Sequence, residues 1–199
     1  MNKGALEVAN LAIAHTGAGA KISTLEEQSK EAQVCKEFIY VVRDVLLKEY
    51  DWNFARKLDA PLTLLELKPR RNWGYSYLYP PDCLKLRYLG EDDSPYKEAL
   101  DDNRRNVFYS NEPALTATYT SDNLADSYPS DFSLGWSYAL AISIAPTVSE
   151  GNIKTLIPFL TDGYKMTMDK AIENNANTDS PSFEQSGAML AGGFLGIIP

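Results

Sequence analysis

The stretch Leu25 to Ala55, LEEQSKEAQVCKEFIYVVRDVLLKEYDWNFA, decides the fold. Apolar residues recur in it at intervals of three and four, which predicts an amphipathic helix from Leu25 to Tyr50. Trp52 and Phe54 follow this helix and are expected to anchor the exit of the chain under the core. The predicted buried stripe consists of Val34, Cys35, Phe38, Val41, Val42, Val45 and Leu46.

The start of this long helix is predicted from two possible capping boxes. Ser23 is followed three residues later by Glu26, and Thr24 is followed three residues later by Glu27. In a capping box the hydroxyl and the carboxylate each accept a hydrogen bond from a backbone N–H of the first turn. Both pairs therefore favour a helix that begins close to residue 25.

Composition is typical of a globular protein. The chain has 199 residues, 44% of them hydrophobic, which suffices for a sizeable core. Its formal net charge of −8 argues against nonspecific binding to the phosphate backbone of nucleic acid. No apolar run reaches the roughly 18 residues of a membrane-spanning helix, so no membrane partner is expected. The spacing of Cys35 and Cys83 permits a disulfide but favours two buried thiols.

Three further helices are predicted from the same apolar spacing. The first covers residues 5–16 and stops at Gly17, a residue suited to a helix C-terminus. The next begins near Ser130 and contains Pro146, which is expected to kink or end it. The last runs over residues 153–172.

Residues 56–128 have a different character, because prolines separate short runs rich in Leu, Tyr and Thr. Trp73, Tyr75, Tyr77 and Tyr79 alternate with a period of two, which predicts a strand with an aromatic face. Further strands are predicted at residues 84–88, 107–109 and 115–119, and together they form one small antiparallel sheet. The aromatic row is interpreted as a core face packed on a helix, and a platform that stacks sugars or bases is the alternative.

The predicted fold class is therefore α+β, mainly α. It is an antiparallel helical bundle with an inserted small antiparallel β-sheet and an extended C-terminal tail. Residues 1–55 and 129–175 are assigned to the bundle, residues 56–128 to the β-rich insert, and residues 176–199 to a linker and extended C-terminal arm.

The C-terminal arm is the candidate partner-binding segment. Residues 174–182 have the composition of a flexible linker, and apolar residues spaced by glycines follow. The segment either folds back on its own domain or orders in a groove of a neighbouring subunit or partner. The hypothetical partner-binding residues are Met189, Leu190, Phe194, Leu195, Ile197 and Ile198.

No convincing active site is predicted, and we expect a protein without catalytic residues, metal or cofactor. His15 is the single histidine, so a zinc cluster or a Cys–His pair lacks the necessary residues nearby. The Gly17-to-Lys21 run lacks the preceding strand and the following Ser or Thr of a phosphate loop, so it is interpreted as a helix connection.

Clusters of charged residues are weaker candidates for a functional site. The carboxylates at residues 26–27, 91–93 and 101–102 are interpreted as solvated charge, although two of them at the right separation would suffice for a glycosidase. The basic run at residues 68–71 is interpreted as a hairpin tip rather than a phosphate contact.

The order of several short sequence segments resembles that of a known protein family. They are the Gly17–Gly19 turn, Ile22–Ala32, Val42–Leu47, Trp52–Ala55, Trp73–Tyr77, Tyr79–Leu84 and Ala139–Thr147. In this order the chain resembles the tail tubular protein A family, the head-to-tail adaptors of short-tailed bacteriophages. The resemblance covers most of residues 5 to 175, and the tail from Ser182 lies outside it.

The resemblance implies a structural virion protein. About twelve copies would form a ring between the portal protein and the tail nozzle protein, with genomic DNA passing through the lumen without specific binding. The chain would be made in the host cytoplasm and work at the head–tail junction. Twelve copies at −8 each would give the ring a formal charge of about −96, and an acidic lumen repels the phosphate backbone.

Two other functions are kept as alternatives. A tail-associated polysaccharide-binding or hydrolysing protein could use the aromatic strand together with the carboxylates. A free cytoplasmic scaffold with a helix bundle would need neither a ring nor a portal partner.

Overall fold

The structure is a computed structural model, which describes residues 4–19, 21–65, 72–90, 95–122, 127–149 and 151–178. Over these ranges it contains four α-helices and six β-strands, together with a short 3₁₀ turn at Asn53–Ala55. In chain order they are α1 Ala5–His15, α2 Lys30–Glu49, β1 Arg56–Pro61, β2 Tyr75–Leu78, β3 Cys83–Leu89, β4 Tyr96–Leu100, β5 Asn106–Ser110, β6 Thr116–Ser121, α3 Ser130–Val148 and α4 Ile153–Ala176. Among the described helices, none has the length and apolar character that a membrane crossing requires.

The long helix α2 begins later than predicted. Its N-cap is Ser29, whose side chain accepts a hydrogen bond from the backbone N–H of Ala32 at 3.3 Å. The carboxylate of Glu27 does accept a bond from the backbone N–H of Ser23, at 2.8 Å, but no helix follows from it. The predicted start at Leu25 is therefore wrong, because a capping contact can close a turn without starting a helix.

Helix α3 lies at the centre of the helical part, and α1, α2 and α4 all pack against it. It is apolar around most of its circumference, as expected for a helix surrounded by others. Trp136 is completely buried there, and its indole N–H donates to the backbone carbonyl of Ile39 on α2 at 3.1 Å. A Cβ added to Gly135 would come within 2.2 Å of Met168 Sδ, so α3 and α4 approach each other closely at this point.

The buried face of α2 differs from the predicted stripe. Ala32, Cys35, Ile39, Leu46 and Leu47 are buried. In contrast, the exposed fractions of three predicted core residues are 38% for Phe38, 61% for Val41 and 49% for Val45. The helix has apolar residues on two sides, and the buried side meets α3, with smaller contacts to α1 and β3.

The β-rich insert contains two three-stranded antiparallel sheets, which corrects the predicted fold class with its single small sheet. In one sheet β6 lies between β1 and β3, and in the other β5 lies between β2 and β4. The sequence-based prediction located β2, β3, β5 and β6 but missed β1 and β4. Both missed strands are sheet edges, with half of β1 and most of β4 exposed, and their charged sequences, RKLDAP and YKEAL, carry no apolar alternation.

A second hydrophobic core lies between the two sheets, apart from the core of the helical part. It consists of Tyr77, Leu89, Phe108, Leu115, Ala117 and Tyr119. Tyr77 is only 1% exposed, and Tyr79 stacks on Phe108 with ring centroids 4.7 Å apart. The interpretation of the aromatic row as a core face is confirmed at these positions, but the row packs with the facing sheet and not on a helix. The assigned domain boundaries stay a prediction.

Arg87 on β3 joins the β-rich part to the C-terminus of α2. Its Nη2 donates to the backbone carbonyls of Tyr50 at 2.6 Å and Leu47 at 3.1 Å, while Nε donates to Thr120 Oγ1 at 2.9 Å. The carbonyls at a helix C-terminus have no partner within the helix and carry partial negative charge. A largely buried guanidinium therefore satisfies them and fixes the sheet against the helix.

Replacing Arg87 with methionine is expected to lower the free energy of unfolding by about 2–4 kcal/mol, because it removes several hydrogen bonds from a charged donor and keeps most of the side-chain volume. Urea unfolding followed by circular dichroism would measure this. Lys85→Met is the matched control, since Lys85 Nζ makes one exposed contact to the Lys48 carbonyl at 3.1 Å. Equal losses for the two variants would contradict the role assigned to Arg87.

Candidate partner-binding surfaces

His15 has a structural contact in place of a catalytic one. Its Nε2 lies 3.2 Å from Ser137 Oγ, and its ring stacks on Tyr138 with centroids 4.0 Å apart. Ser137 Oγ already donates its single proton to the Leu134 carbonyl at 2.7 Å, so the histidine is the donor of the pair. Burial lowers the pKa of His15. The pair therefore attaches α1 to α3.

The Gly17-to-Lys21 run connects two helices, as interpreted from the sequence. Gly17 has φ +78°, the left-handed conformation that ends α1. The side chain of Asn10 then holds the following segment, because its Oδ1 accepts from the Ile22 N–H at 2.9 Å and its Nδ2 donates to the Ile22 carbonyl at 3.0 Å.

The described carboxylates of the sequence clusters make local contacts. Asp101 accepts from the backbone N–H groups of Arg105 and Asn103 and from Arg105 Nε, each at 2.8 Å, and the bond from the Arg105 N–H contributes most to lowering its pKa. Glu26 pairs with Lys36. The acidic run at residues 91–93 and the basic run at 68–71 lie outside the described residues. Within the part of the chain that the structure describes, no group of three or more His, Cys, Asp or Glu could hold a metal ion.

Asp82 is the most strongly coordinated carboxylate of the β-rich part. It accepts from Lys57 Nζ and Ser121 Oγ, both at 2.5 Å, and from Tyr119 Oη at 3.0 Å. Burial acts to raise its pKa, but these hydrogen bonds outweigh burial and lower the pKa from 3.8 to about 2. The charged form of Asp82 therefore stabilises the fold.

The stability that Asp82 contributes is expected to depend on pH in one window. Because its pKa is lower in the folded chain than in the unfolded chain, the contribution is complete above the unfolded value and lost as pH falls through the folded value. The difference in free energy of unfolding between wild type and Asp82→Asn should therefore shrink between about pH 4 and pH 2. Urea unfolding at several pH values would measure it, and a difference independent of pH would contradict the assignment.

The first candidate surface is an exposed apolar row on α2, here called the α2 seam. It consists of Val34, which is half-buried against the core, and of Phe38, Val41 and Val45. Their spacing of four, three and four residues is that of the a and d positions of a heptad repeat. The last three are more than a third exposed, and the helices that pack on α3 leave this side of α2 open among the described residues. A heptad row of this kind fits a further helix.

The second surface is a smaller apolar patch on α4. Phe159 is 63% exposed and Met166 is 74% exposed. They lie seven residues apart and therefore on the same side of the helix. The opposite side of α4 contributes Leu160, Met168 and Ala171 to the core. One subunit thus presents two unlike apolar surfaces, the α2 seam and this α4 patch.

The third surface is an apolar pocket of about 330 Å³ where the chain leaves α2, here called the aromatic pocket. Trp52, Phe54 and Phe132 are its aromatic residues, and the Trp52 and Phe132 rings meet edge to face at 5.1 Å. Trp52 is 1% exposed and donates from Nε1 to the Leu46 carbonyl at 2.9 Å, so its predicted role as an anchor is confirmed. The remaining lining residues are Asn53, Pro129, Asp131, Ala171, Asn174, Asn175 and Thr178.

Hydrogen bonds from Asn53 hold the polar side of this pocket together. Its backbone N–H donates to Asn175 Oδ1 at 2.9 Å, and its Nδ2 donates to the Asn175 carbonyl at 2.9 Å and to Thr178 Oγ1 at 2.8 Å. Its Oδ1 is buried and accepts no hydrogen bond from the described residues. A buried acceptor without a donor is uncommon and costs free energy. Among the described residues, the pocket therefore lacks a hydrogen-bond donor for Asn53 Oδ1.

The predicted partner-binding residues Met189, Leu190, Phe194, Leu195, Ile197 and Ile198 lie outside the described residues. A scan of the sequence against protein-family models found no match, and a search of curated proteins found none either. Sequence reasoning missed all three surfaces. The heptad spacing of the α2 seam was visible, but it was interpreted as the buried face.

Proposed function

We propose that this protein is a structural virion protein, a head-to-tail adaptor of a short-tailed bacteriophage. In this proposal about twelve copies form a ring between the portal protein and the tail nozzle protein, and genomic DNA passes through the lumen without specific binding. The subunit is made in the host cytoplasm and works at the head–tail junction. It catalyses no reaction and needs no cofactor.

The observation that carries the proposal is the α2 seam. Phe38, Val41 and Val45 expose apolar surface in a heptad row, and covering such surface with a partner helix is favourable by roughly 25 cal/mol for each Å² removed from water. A neighbouring copy is the simplest source of that partner. This supports a subunit that functions in an assembly.

The α4 patch supports a ring in particular. A ring of identical subunits needs two different complementary surfaces on each copy, because every contact joins one surface to the other on the next copy. The α2 seam and the Phe159–Met166 patch are two such surfaces. The proposed contact therefore places the seam of one copy against the α4 patch of the next.

Charge and the order of sequence landmarks support the position along the DNA path. With a net charge of −8 on each copy, a ring repels the phosphate backbone and lets DNA slide past it. The segments that resemble the tail tubular protein A family include part of α2 (Val42–Leu47) and the aromatic segments Trp52–Ala55 and Trp73–Tyr77. The alternative of a glycan-binding strand loses its main support, since Tyr77 and Tyr79 belong to the core between the sheets.

Native mass spectrometry of the protein alone, and then mixed with the portal ring of the same virus, tests this proposal. The expected result is a discrete complex with about twelve copies on the portal. A chain that stays monomeric and ignores the portal at micromolar concentration would contradict it. Release of reducing sugar from host polysaccharide by the purified chain would contradict the non-enzymatic assignment.

A further inference from the structure

We propose that the aromatic pocket binds the chain's own segment just after Thr178, with the Phe183 side chain packed against Phe54, which is half-buried and adjoins the buried rings of Trp52 and Phe132. This inference concerns one subunit and does not depend on the proposed adaptor function. It assigns an occupant to a pocket of about 330 Å³.

The place where the described chain ends is the first argument. Helix α4 ends at Ala176, and Thr178, the last described residue, itself lines the pocket. Phe183 is the first aromatic or aliphatic residue after it, five positions further on. Five residues span at most about 17 Å when fully extended, which is ample for a pocket that begins at Thr178. Of the four residues between them, DSPS, only Pro181 has an apolar side chain, and it is neither aromatic nor flexible.

The chemistry of the walls is the second argument. Trp52 and Phe132 already meet edge to face at 5.1 Å, and Phe54 meets Phe132 in the same way at 5.0 Å. A further phenyl ring extends such a cluster by the same edge-to-face geometry. Pro129 and Ala171 add to the apolar lining of this pocket of about 330 Å³.

The unpaired acceptor is the third argument. Asn53 Oδ1 is buried and accepts no hydrogen bond within the described part of the chain, while both protons of its amide are used by Asn175 and Thr178. A peptide segment supplies a backbone N–H together with its side chain, whereas an apolar small molecule supplies no donor. The pocket therefore suits a peptide with an aromatic residue.

A short tether decides between the chain's own segment and other peptides. A segment attached beside its own site binds at an effective concentration in the millimolar range, which a segment from a second copy or a portal protein does not reach when free. The occupant is therefore the segment of the same chain.

Photocrosslinking of the full-length protein tests this. Phe183 is replaced by its photoreactive analogue benzoylphenylalanine, the protein is irradiated, and the crosslinked peptides are identified by mass spectrometry. The expected crosslinks lie within one chain and reach residues 52–54, 129–132 or 171–178. Phe194 replaced in the same way is the matched control, with no crosslink expected at the pocket. Crosslinks from the Phe183 position that avoid the pocket, or control crosslinks of equal yield at the pocket, would overturn the proposal.

Mixing isotope-labelled and unlabelled chains before irradiation separates the possible sources of the segment. Crosslinks confined to one isotope support the proposal, and mixed-isotope pairs at the pocket would overturn it in favour of a segment from a second copy.

Hydrogen exchange provides a second measurement without the photoreactive group. In Phe183→Ala, backbone amides of residues 52–55 and 171–178 are expected to exchange at least about threefold faster than in wild type, and Phe194→Ala should leave them unchanged. Equal exchange in all three proteins would overturn the proposal. These measurements use the free subunit, so their failure leaves the adaptor proposal standing, and a failure to bind the portal leaves the pocket assignment standing.

Discussion

Replacing Val41 with glutamate is expected to abolish assembly on the portal while the subunit stays folded. Val41 lies in the middle of the α2 seam and is 61% exposed, so the substitution removes little from the core of the free subunit. In the proposed contact the same position is covered by the α4 patch of the next copy. A carboxylate buried there without a partner costs about 3–5 kcal/mol, which corresponds to a loss of affinity of roughly a hundredfold to several thousandfold at each contact.

Native mass spectrometry with the portal ring would measure the loss, and circular dichroism would check that the variant is folded. Leu58→Glu is the matched control, because Leu58 is 67% exposed on β1 and lies outside both the seam and the α4 patch. We expect Leu58→Glu to assemble like wild type. A Val41→Glu chain that still forms the complex would show that the seam is not a subunit contact.

Trp136→Ala is expected to have the largest effect on stability. The Trp136 ring is completely buried at the centre of α3, meets Tyr128 edge to face at 5.0 Å and donates to the Ile39 carbonyl. Its removal leaves a cavity where α2 and α3 meet and should cost about 3–5 kcal/mol. Since proteins of this kind are stable by only about 5–15 kcal/mol, the variant would lose a large part of its stability.

Urea unfolding of the variant would measure this cost. Trp136→Phe is the matched control, because it keeps an aromatic ring in the same space and loses the indole N–H; its cost should be smaller, about 1–2 kcal/mol. Equal costs for the two variants would mean that the hydrogen bond to Ile39, and not the packing, accounts for the contribution of Trp136.

The strands illustrate how far sequence reasoning reaches. The central strands β5 and β6 are buried on at least one face, so their apolar residues were recognised. The edge strands β1 and β4 are paired on one side only, and half of β1 and most of β4 are exposed, so their charged sequences show no apolar alternation. The sequence pattern also does not show which strands pair, so β2 and β5 were grouped with β3 and β6 in a single sheet, and the fold class had to be corrected.

The surfaces required the tertiary structure for a different reason. The aromatic pocket is assembled from residues 52–54, 129–132 and 171–178, three segments that are distant in the sequence. The sequence identified Trp52 as an anchor but contains no signal that Phe132 and Thr178 meet it. The bonds from Asn53 Nδ2 to Asn175 and Thr178 fix the orientation of the Asn53 amide, and in that orientation Oδ1 meets no donor among the described residues.

Sequence reasoning located the four helices approximately and recognised that the middle of the chain is β-rich, because these properties depend on residues close together along the chain. It predicted a single apolar stripe on α2. Only the tertiary structure decided which side of α2 is buried. Ile39 faces α3 because Trp136 packs and bonds there, and Val41, two residues further on, is consequently turned towards solvent. Which apolar side a helix buries depends on the partner it meets, and that partner comes from about a hundred residues further along the chain.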